Sequence, residues 1–482
     1  MNRNNIWIHV GLAVTLITFA AVLGQIQRWK AALTANDIPN IRAEKLPKTD
    51  RISFRTAPEV LVRFKSGTTL DQIRAIASSN HDQLADEIES VSGLSVIDDL
   101  DDADAESVAA QYSSRSDVEY AEPNFQIKLD DPSQEATPSD LLYRKTGDEV
   151  PNDPMFNDQW ALNNLGQDGG KKRADIDALK AWQTARGSDA VVVAVLDTGV
   201  DFTHEDLREN MWVRPEKLAP YHDDELGDIN DLNGYNGTDA IADPMDDNGH
   251  GTHCAGIIGA EGNNGIGISG INWKVKIMPL KFLGRGGFGS TDAAIEAINY
   301  AIDRRKNGVN VRVISASWGS NSRSKALEDT IRAASDAGIL FIAAAGNDGS
   351  DNDRRPHFPS NYDIPNVISV AALDRNDKLA SFSNYGAKSV HVAAPGKDIV
   401  STWLNDGYRA ASGTSMATPY VSGIAALIIS NDPGISMKDL RSRILGSADP
   451  LESLRGRVET GSRICAANAL GSVVKAHTHA SE

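Results

Sequence analysis

The chain has 482 residues, which is enough for two or three domains, and 41% of them are hydrophobic, which suffices for a large core. The formal net charge is −18 and no block of Lys and Arg stands out, so the composition argues against nucleic acid as a main partner. Only two cysteines occur, Cys254 and Cys465, which excludes a disulfide framework and leaves open whether these two thiols pair.

The N-terminal segment has the pattern of an export signal. A short basic start precedes an apolar stretch from Ile6 to Leu23, and Val22 with Gly24 satisfies a small-residue cleavage rule. The same stretch is just long enough to span a membrane. Residues 1–30 are therefore interpreted as a cleaved signal peptide or as an uncleaved anchor through residues 6–24. Both interpretations predict export, with the remaining chain secreted, periplasmic or held at a membrane outside the cytoplasm.

Residues 57–129 have the pattern of a small α+β domain, which follows an aperiodic linker at 31–56. Alternation and helical spacing predict strand, helix, strand, helix and strand, in that order, at 59–64, 70–77, 94–97, 103–112 and 118–124. This order fits a split β-α-β arrangement. Residues 130–150 are polar, contain two prolines and lack a core pattern, so we interpret them as a processing linker.

Three motifs in the rest of the chain carry chemistry. The β-branched run 190–196 ends at Asp197, which is typical of a buried parallel strand with a carboxylate at its C-terminal edge, where ligands bind. His250 enters a small-residue helix, and Ser415 begins an apolar helix after a tight turn at Gly413. Free N–H groups at a helix start favour an oxyanion. Together they offer the carboxylate, base and nucleophile of acyl transfer.

Taken alone, the serine motif would be weak, because a Gly-Thr-Ser helix start usually carries an incidental serine. The order Asp, His, Ser favours the nucleophile, since it is the order of subtilisin. An esterase of the α/β-hydrolase type would need G-x-S-x-G and the order Ser, Asp, His, and residues 413–417 depart from that pattern. A non-catalytic protein on the same fold is the other alternative, although every catalytic position is intact.

The motifs resemble those of subtilisin-family serine peptidases over roughly residues 150–475. Four of them match in order and spacing: VAVLDTGV (193–200), NGHGTHCAG (248–256), AAAGN (343–347) and SGTSMATP (412–419). The resemblance implies a catalytic domain at 151–475 with a doubly wound, mostly parallel sheet flanked by helices. It also implies that the α+β domain, whose end reads VEYAEPN, is an inhibitory prodomain and that the protein is a self-processing zymogen.

The resemblance also assigns roles to residues. Asp197, His250 and Ser415 would form the catalytic triad of a serine endopeptidase acting on polypeptides, and Asn347 would donate its side-chain N–H to the oxyanion. Two segments would pair with an extended substrate, and small residues would wall the primary pocket. These substrate-binding residues are Gly287, Phe288, Gly289, Ser317, Trp318, Gly319, Ala345 and Gly346.

A structural calcium ion is the one cofactor that the resemblance implies. Asp206 would be a ligand, and the loop 260–267 would supply carbonyl groups together with Asn264, since calcium prefers hard oxygen ligands. The insert 212–247 alternates Asp, Asn and Gly, which suits either a second calcium site or a solvated acidic loop.

Three remaining features have ordinary interpretations. Cys254 would be a buried small residue packed beneath the catalytic histidine, as in similar family members. In the loop 348–358, Asp351 and Asp353 either favour basic substrate side chains or pair with the neighbouring arginines. Residues 476–482 are interpreted as a tail.

Overall fold

The computed structural model describes residues 59–101, 103–129, 150–223, 227–238 and 243–471. The predicted signal or anchor (1–30), the linker 31–56, nearly all of the processing linker and the tail 476–482 lie outside the described residues. Among the helices of the described part, none combines the length and apolar character that a membrane crossing requires.

The N-terminal domain is an antiparallel sheet of four strands in the order β2-β3-β1-β4, with two helices. Its elements are β1 (Glu59–Phe64), α1 (Leu70–Ser79), β2 (Asp82–Glu87), β3 (Leu94–Asp99), α2 (Ala105–Ser113) and β4 (Val118–Pro123). Thr69 begins α1 with a capping box to Gln72. Strand β2 was not predicted, because its sequence DQLADE is polar and its place at the sheet edge depends on pairing with β3.

A nine-stranded sheet forms the centre of the second domain, in the order β18-β19-β15-β14-β13-β12-β6-β10-β9. Its strand pairs are parallel except for β18 with β19, and this confirms the predicted mostly parallel α/β fold. The strands are β6 (Gly187–Asp197), β9 (Tyr235–Asn236), β10 (Lys274–Lys281), β12 (Val311–Ala316), β13 (Leu340–Ala344), β14 (Val367–Leu373), β15 (Val392–Pro395), β18 (Asp449–Pro450) and β19 (Ser462–Arg463).

Helices cover both faces of this sheet. They are α3 (Ala178–Ala181), α4 (His250–Gly259), α5 (Thr291–Lys306), α6 (Lys325–Asp336), α7 (Thr414–Asn431), α8 (Met437–Gly446) and α9 (Ala466–Leu470). Alternate residues of β6 enter two separate cores, so that Val193 packs on the side of α4 and α7, and Ala194 on the side of α5 and α6. The predicted doubly wound arrangement is therefore confirmed.

Short strands outside the large sheet complete the fold. They are β5 (Gln126–Lys128), β7 (His222–Asp223), β8 (Gly227–Asp228), β11 (Phe288–Ser290), β16 (Ile399–Trp403) and β17 (Gly407–Ala411). Strand β5 is the end of the N-terminal domain, and it pairs with β11 of the second domain.

The N-terminal domain docks on the starts of α5 and α6. The Glu122 carboxylate accepts hydrogen bonds from the backbone N–H groups of Lys325 (2.8 Å) and Ala326 (3.1 Å) and from the Ser324 hydroxyl (2.6 Å). Asn124 Oδ1 accepts the N–H of Asp292 in the first turn of α5 (3.1 Å). Both contacts satisfy N–H groups that a helix start leaves unpaired and place negative or polar oxygens at the positive end of the helix dipole.

Candidate active site

The strand β6 delivers a buried carboxylate to the start of α4. Asp197 is the last residue of β6 and is fully buried, and its Oδ1 lies 2.7 Å from His250 Nδ1. This contact holds the imidazole in one orientation and leaves Nε2 as the nitrogen that can take a proton. His253, one turn further on, has a different environment, since burial lowers the pKa of its ring to about 3 and its Nε2 lies against two backbone carbonyls.

The turn before His250 is fixed by a carboxylate that the sequence analysis did not assign to the site. Asp246 accepts hydrogen bonds from the backbone N–H groups of Asn248, Gly249 and Thr252 and from the hydroxyls of Thr198 and Thr252. Its pKa is nevertheless raised by burial. Asp246 was grouped with the acidic insert, but its oxygens hold the loop that positions His250.

Ser415 lies in the first turn of α7, where its hydroxyl donates to the carbonyl of Ser317 (3.0 Å). Ser317 Oγ donates in return to the Ser415 carbonyl (2.9 Å), which ties the end of β12 to the start of α7. Cys254 Sγ also contacts the Ser415 carbonyl (3.5 Å), one turn along α4 from His250. The start of α7 and the histidine helix thus meet at Ser415.

Both cysteines are free and buried, so the alternative of a Cys254–Cys465 bridge is not realised in the structure. Burial raises the pKa of the Cys254 thiol well above its ordinary value, which keeps it neutral beneath the histidine. A neutral buried thiol packs as a small hydrophobic group, as predicted.

Asn347 follows the end of β13 and faces the turn that leads to Ser415. Its Oδ1 accepts hydrogen bonds from the backbone N–H (2.8 Å) and the hydroxyl (3.0 Å) of Thr414. The Nδ2 group lies beside Gly413, 3.5 Å from where a Cβ atom of that residue would be. One end of the amide is therefore anchored, and the other end is a donor next to the serine.

The two predicted substrate edges hold a strand of the chain itself. Strand β5 pairs antiparallel with β11, so that Lys128 lies opposite Phe288 and Ile127 opposite Gly289. On its other side, Lys128 forms an antiparallel bridge with Gly319. The N–H of Leu129 donates to the Gly287 carbonyl (2.8 Å). The end of the N-terminal domain thus lies between both edges, in the way expected of an extended peptide.

The remaining predicted substrate-binding residues follow the ends of β12 and β13. The Trp318 ring is buried and packs against Phe282, with 4.7 Å between ring centroids. The ring therefore supports the predicted substrate edge 317–319 from inside the protein. Ala345 is fully buried, and Gly346 has φ +105°, where a Cβ atom would lie 2.4 Å from Asn384 Nδ2. Gly346 is therefore required for the turn that leads to Asn347.

The predicted calcium ligands lie together, with one acid that was missed. Asp206 Oδ1 accepts a hydrogen bond from Asn264 Nδ2 (2.9 Å), and Asp153 accepts the N–H groups of Asn263 and Asn264. Burial is the main cause that raises the pKa of Asp206 to about 7 and that of Asp153 to about 6. Asp153 also raises the pKa of Asp206 through its charge. Two neighbouring buried carboxylates and an amide fit the hard oxygen ligands that calcium takes.

Two acidic segments have partners within the protein. In the insert, Asp231 is buried between Arg214 (2.7 Å) and Arg304 (3.2 Å), so this acid is neither solvated nor free for calcium. In the loop 348–358, Asp351 lies 3.5 Å from Arg354, which favours the internal pairing over recognition of basic substrates.

Comparisons with known proteins identify the family and the prodomain. A family model described as the subtilase family matches residues 188–467, and one described as the fervidolysin N-terminal prodomain matches residues 57–124. A thermophilic serine proteinase of Bacillus sp. (strain AK1) is 34% identical over 403 residues, covering 82% of each chain. Thermitase of Thermoactinomyces vulgaris is 37% identical over 302 residues, covering 63% of this chain and 92% of thermitase. A solved protease structure from Pseudoalteromonas arctica has a TM-score of 0.56 at 28% identity, covering 67% of this chain and 98% of that one.

Proposed function

The chain belongs to the subtilase family of serine proteases and carries an N-terminal prodomain, and from this premise we propose that it is an exported endopeptidase that processes itself. The observation that carries the proposal is the position of β5 between the two substrate edges. The prodomain ends as an extended strand in the groove that leads to Ser415. The tail therefore acts first as a substrate and, once cut, as an inhibitor that still occupies the groove.

In the proposed mechanism, His250 takes the Ser415 proton at Nε2 while Asp197 holds Nδ1 and stabilises the imidazolium. Ser415 Oγ attacks the peptide carbonyl and forms an acyl-enzyme. The developing oxyanion is stabilised by Asn347 Nδ2 and the backbone N–H of Ser415. His250 then protonates the leaving amine, and water repeats the cycle on the ester. Because this base is an imidazole, we expect activity to rise from about pH 6.

The strand register indicates where the first cut falls. Lys128 lies opposite Gly319 in an antiparallel bridge. Ser317, whose carbonyl accepts the hydrogen bond from Ser415 Oγ, comes two residues before Gly319, and we propose that the tail residue cut by Ser415 lies opposite it. We therefore place the first cleavage directly after the described tail, at the start of the predicted processing linker 130–150.

The same proposal includes a structural calcium ion and export. Asp206, Asn264 and Asp153 would hold the ion, which would offset the negative charge of two buried carboxylates and fix the loop 260–267. Export rests on the N-terminal sequence pattern alone.

The test is a processing experiment on residues 31–482 with calcium present. We analyse three forms by mass and N-terminal sequencing: the wild type, Ser415→Ala and Ser430→Ala. Ser430→Ala is the control, because Ser430 lies in the same helix α7 but away from the groove. We expect wild type and the control to be cut at the start of the linker and Ser415→Ala to stay whole. Casein and a short-chain nitrophenyl ester are then assayed with each form. An intact wild-type chain without casein hydrolysis would refute the proposal in favour of a non-catalytic role.

A further inference from the structure

Three carboxylates from distant parts of the sequence meet where the prodomain lies against the catalytic domain. Asp86 comes from β2 of the prodomain, Asp223 from β7 in the acidic insert, and Glu296 from the middle of α5. One carboxylate oxygen of each lies within 4.8 Å of those of the other two. Asp86 follows a register shift in the pairing of β2 with β3, so the edge strand departs from regular pairing at the residue that reaches the cluster.

Glu296 is the member that the protein leaves unsatisfied. Its residue is 8% exposed, no N–H or hydroxyl donor of the described part of the chain binds Oε1 or Oε2, and the hydrogen-bonding neighbour of this carboxyl group is a second acid, Asp86. A buried ionised carboxylate without partners is costly, because it loses its hydration and gains nothing in return. Accordingly, burial and then the charge of Asp86 raise the pKa of Glu296 well above its ordinary value.

The surroundings add negative charge. Besides Asp86 and Asp223, the charge of Glu89 of the prodomain also acts on Glu296. Arg304, whose guanidinium lies 5.5 Å from the centre of the Tyr221 ring, pairs with Asp231 and Asp303.

We propose that Asp86, Asp223 and Glu296 bind a divalent cation, with calcium as the best fit, which joins the prodomain to the catalytic domain. Carboxylate oxygens are the hard ligands that calcium prefers, and oxygens bound to one calcium ion at about 2.4 Å lie up to about 5 Å apart. The spacing of the three oxygens satisfies that limit. This cation is distinct from the one proposed at Asp206, which lies within the catalytic domain.

The division of the ligands between two domains has a consequence for activation. Since Asp86 belongs to the prodomain, the site is complete only while the prodomain is docked. A ligand that binds the docked form more tightly than the separated parts stabilises the docked form by mass action. Calcium would therefore retain the cut prodomain on the enzyme, and a fall in calcium would speed its release.

The binding test uses the full chain with Ser415→Ala, so that its result does not depend on processing. Calorimetric titration with CaCl2 counts the bound ions in this parent and in the added substitutions Glu296→Gln, Asp86→Asn and the control Glu106→Gln. Glu106 is an exposed acid of prodomain helix α2. We expect the parent and the control to bind one more calcium ion than the Glu296 and Asp86 variants, or to bind it at least about tenfold more tightly.

Thermal unfolding in chelator and in calcium completes the test. In chelator, the two cluster variants should be at least as stable as the parent, because each replaces an acid of a crowded carboxylate cluster by a neutral amide. In calcium, the parent should gain more stability than they do. Equal calcium stoichiometry and equal stabilisation in parent and variants would overturn the proposal and leave a protonated acid cluster. If Glu296→Gln does not fold, the calcium titration and the unfolding of Asp86→Asn, at the half-buried sheet edge, decide whether the proposal holds.

Discussion

Lys128 of the prodomain and Gly319 of the catalytic domain face each other in an antiparallel bridge, and the opposite edge of the Lys128 strand is already paired with β11. The tail is thus paired along β11 on one side and bridged at one position on the other. Pairing through the backbone depends little on sequence, so the fit of alternate side chains decides how well the tail binds.

Ile127 should contribute most to this fit, because it is 2% exposed while its neighbours in β5 are exposed. We expect Ile127→Ala to weaken tail binding by about 2–4 kcal/mol, since a buried isoleucine loses packing and leaves a cavity. The measurement is the half-time of self-processing followed on gels. Gln126→Ala is the matched control. An equal slowing of self-processing in both variants would contradict the role of the buried Ile127 side chain in tail binding.

Asn347→Leu should lower the rate of self-processing by about 10²–10³-fold, as removal of one oxyanion donor does. Asn347→Asp keeps the acceptor for Thr414, removes the donor and adds a negative charge beside the oxyanion. We expect it to be as impaired as the leucine variant. Recovery of the wild-type rate in Asn347→Asp would mean that the residue acts only by anchoring Thr414.

Asp246→Ala should destabilise the protein by about 2–4 kcal/mol, because it leaves several buried N–H and O–H donors without an acceptor. The free energy of unfolding is measured in denaturant on the Ser415→Ala background, which prevents self-digestion. Asp228→Ala, at an acid that is 72% exposed, is the control. A change of the same size in both variants would show that the Asp246 contacts contribute little.

Docking of the prodomain should weaken as the pH rises through about 7. The pKa of Glu59 in β1 is raised to about 7, mainly by burial and then by the charge of Asp292. Its hydrogen bond with Asn124 lowers the pKa, and the charge of Asp98 raises it by a smaller amount. The part of this increase that docking causes, through the charge of Asp292, favours the docked form at low pH and is lost as the pH rises from 4.5 to about 7. Prodomain release is timed between pH 5 and 9. Glu59→Gln should flatten the profile, and an unchanged profile would contradict the assignment.

Calcium removal should lower stability through Asp206. With calcium at 100 times its dissociation constant, one site contributes about 2.7 kcal/mol. The expected result is a calcium-dependent rise in melting temperature in the Ser415→Ala chain that shrinks when Asp206→Asn is added. A rise of full size in the Asp206 variant would place the ion elsewhere.

The sequence predicted the family and the doubly wound catalytic fold, and both are confirmed. It did so because Asp197, His250 and Ser415 each lie where an element ends or begins, and such places have local signatures. The roles of Asp246, Asp153 and Glu296 could not be predicted, because they depend on contacts between distant segments. Strand β5 was not predicted, because its three residues form a strand only by pairing with β11 and Gly319.

The position of β6 determines how this protein reaches its structure. It is the earliest strand of the large sheet in the chain, yet it lies inside the sheet between β10 and β12, which follow much later. Long-range parallel pairing of this kind is intrinsically slow to form, and we expect the docked prodomain to favour it by contacting α5 and α6. If the prodomain is degraded after processing, an enzyme molecule that unfolds has lost this contact. We then expect the working lifetime of the enzyme to be set by the rate of its unfolding rather than by an equilibrium with the unfolded chain.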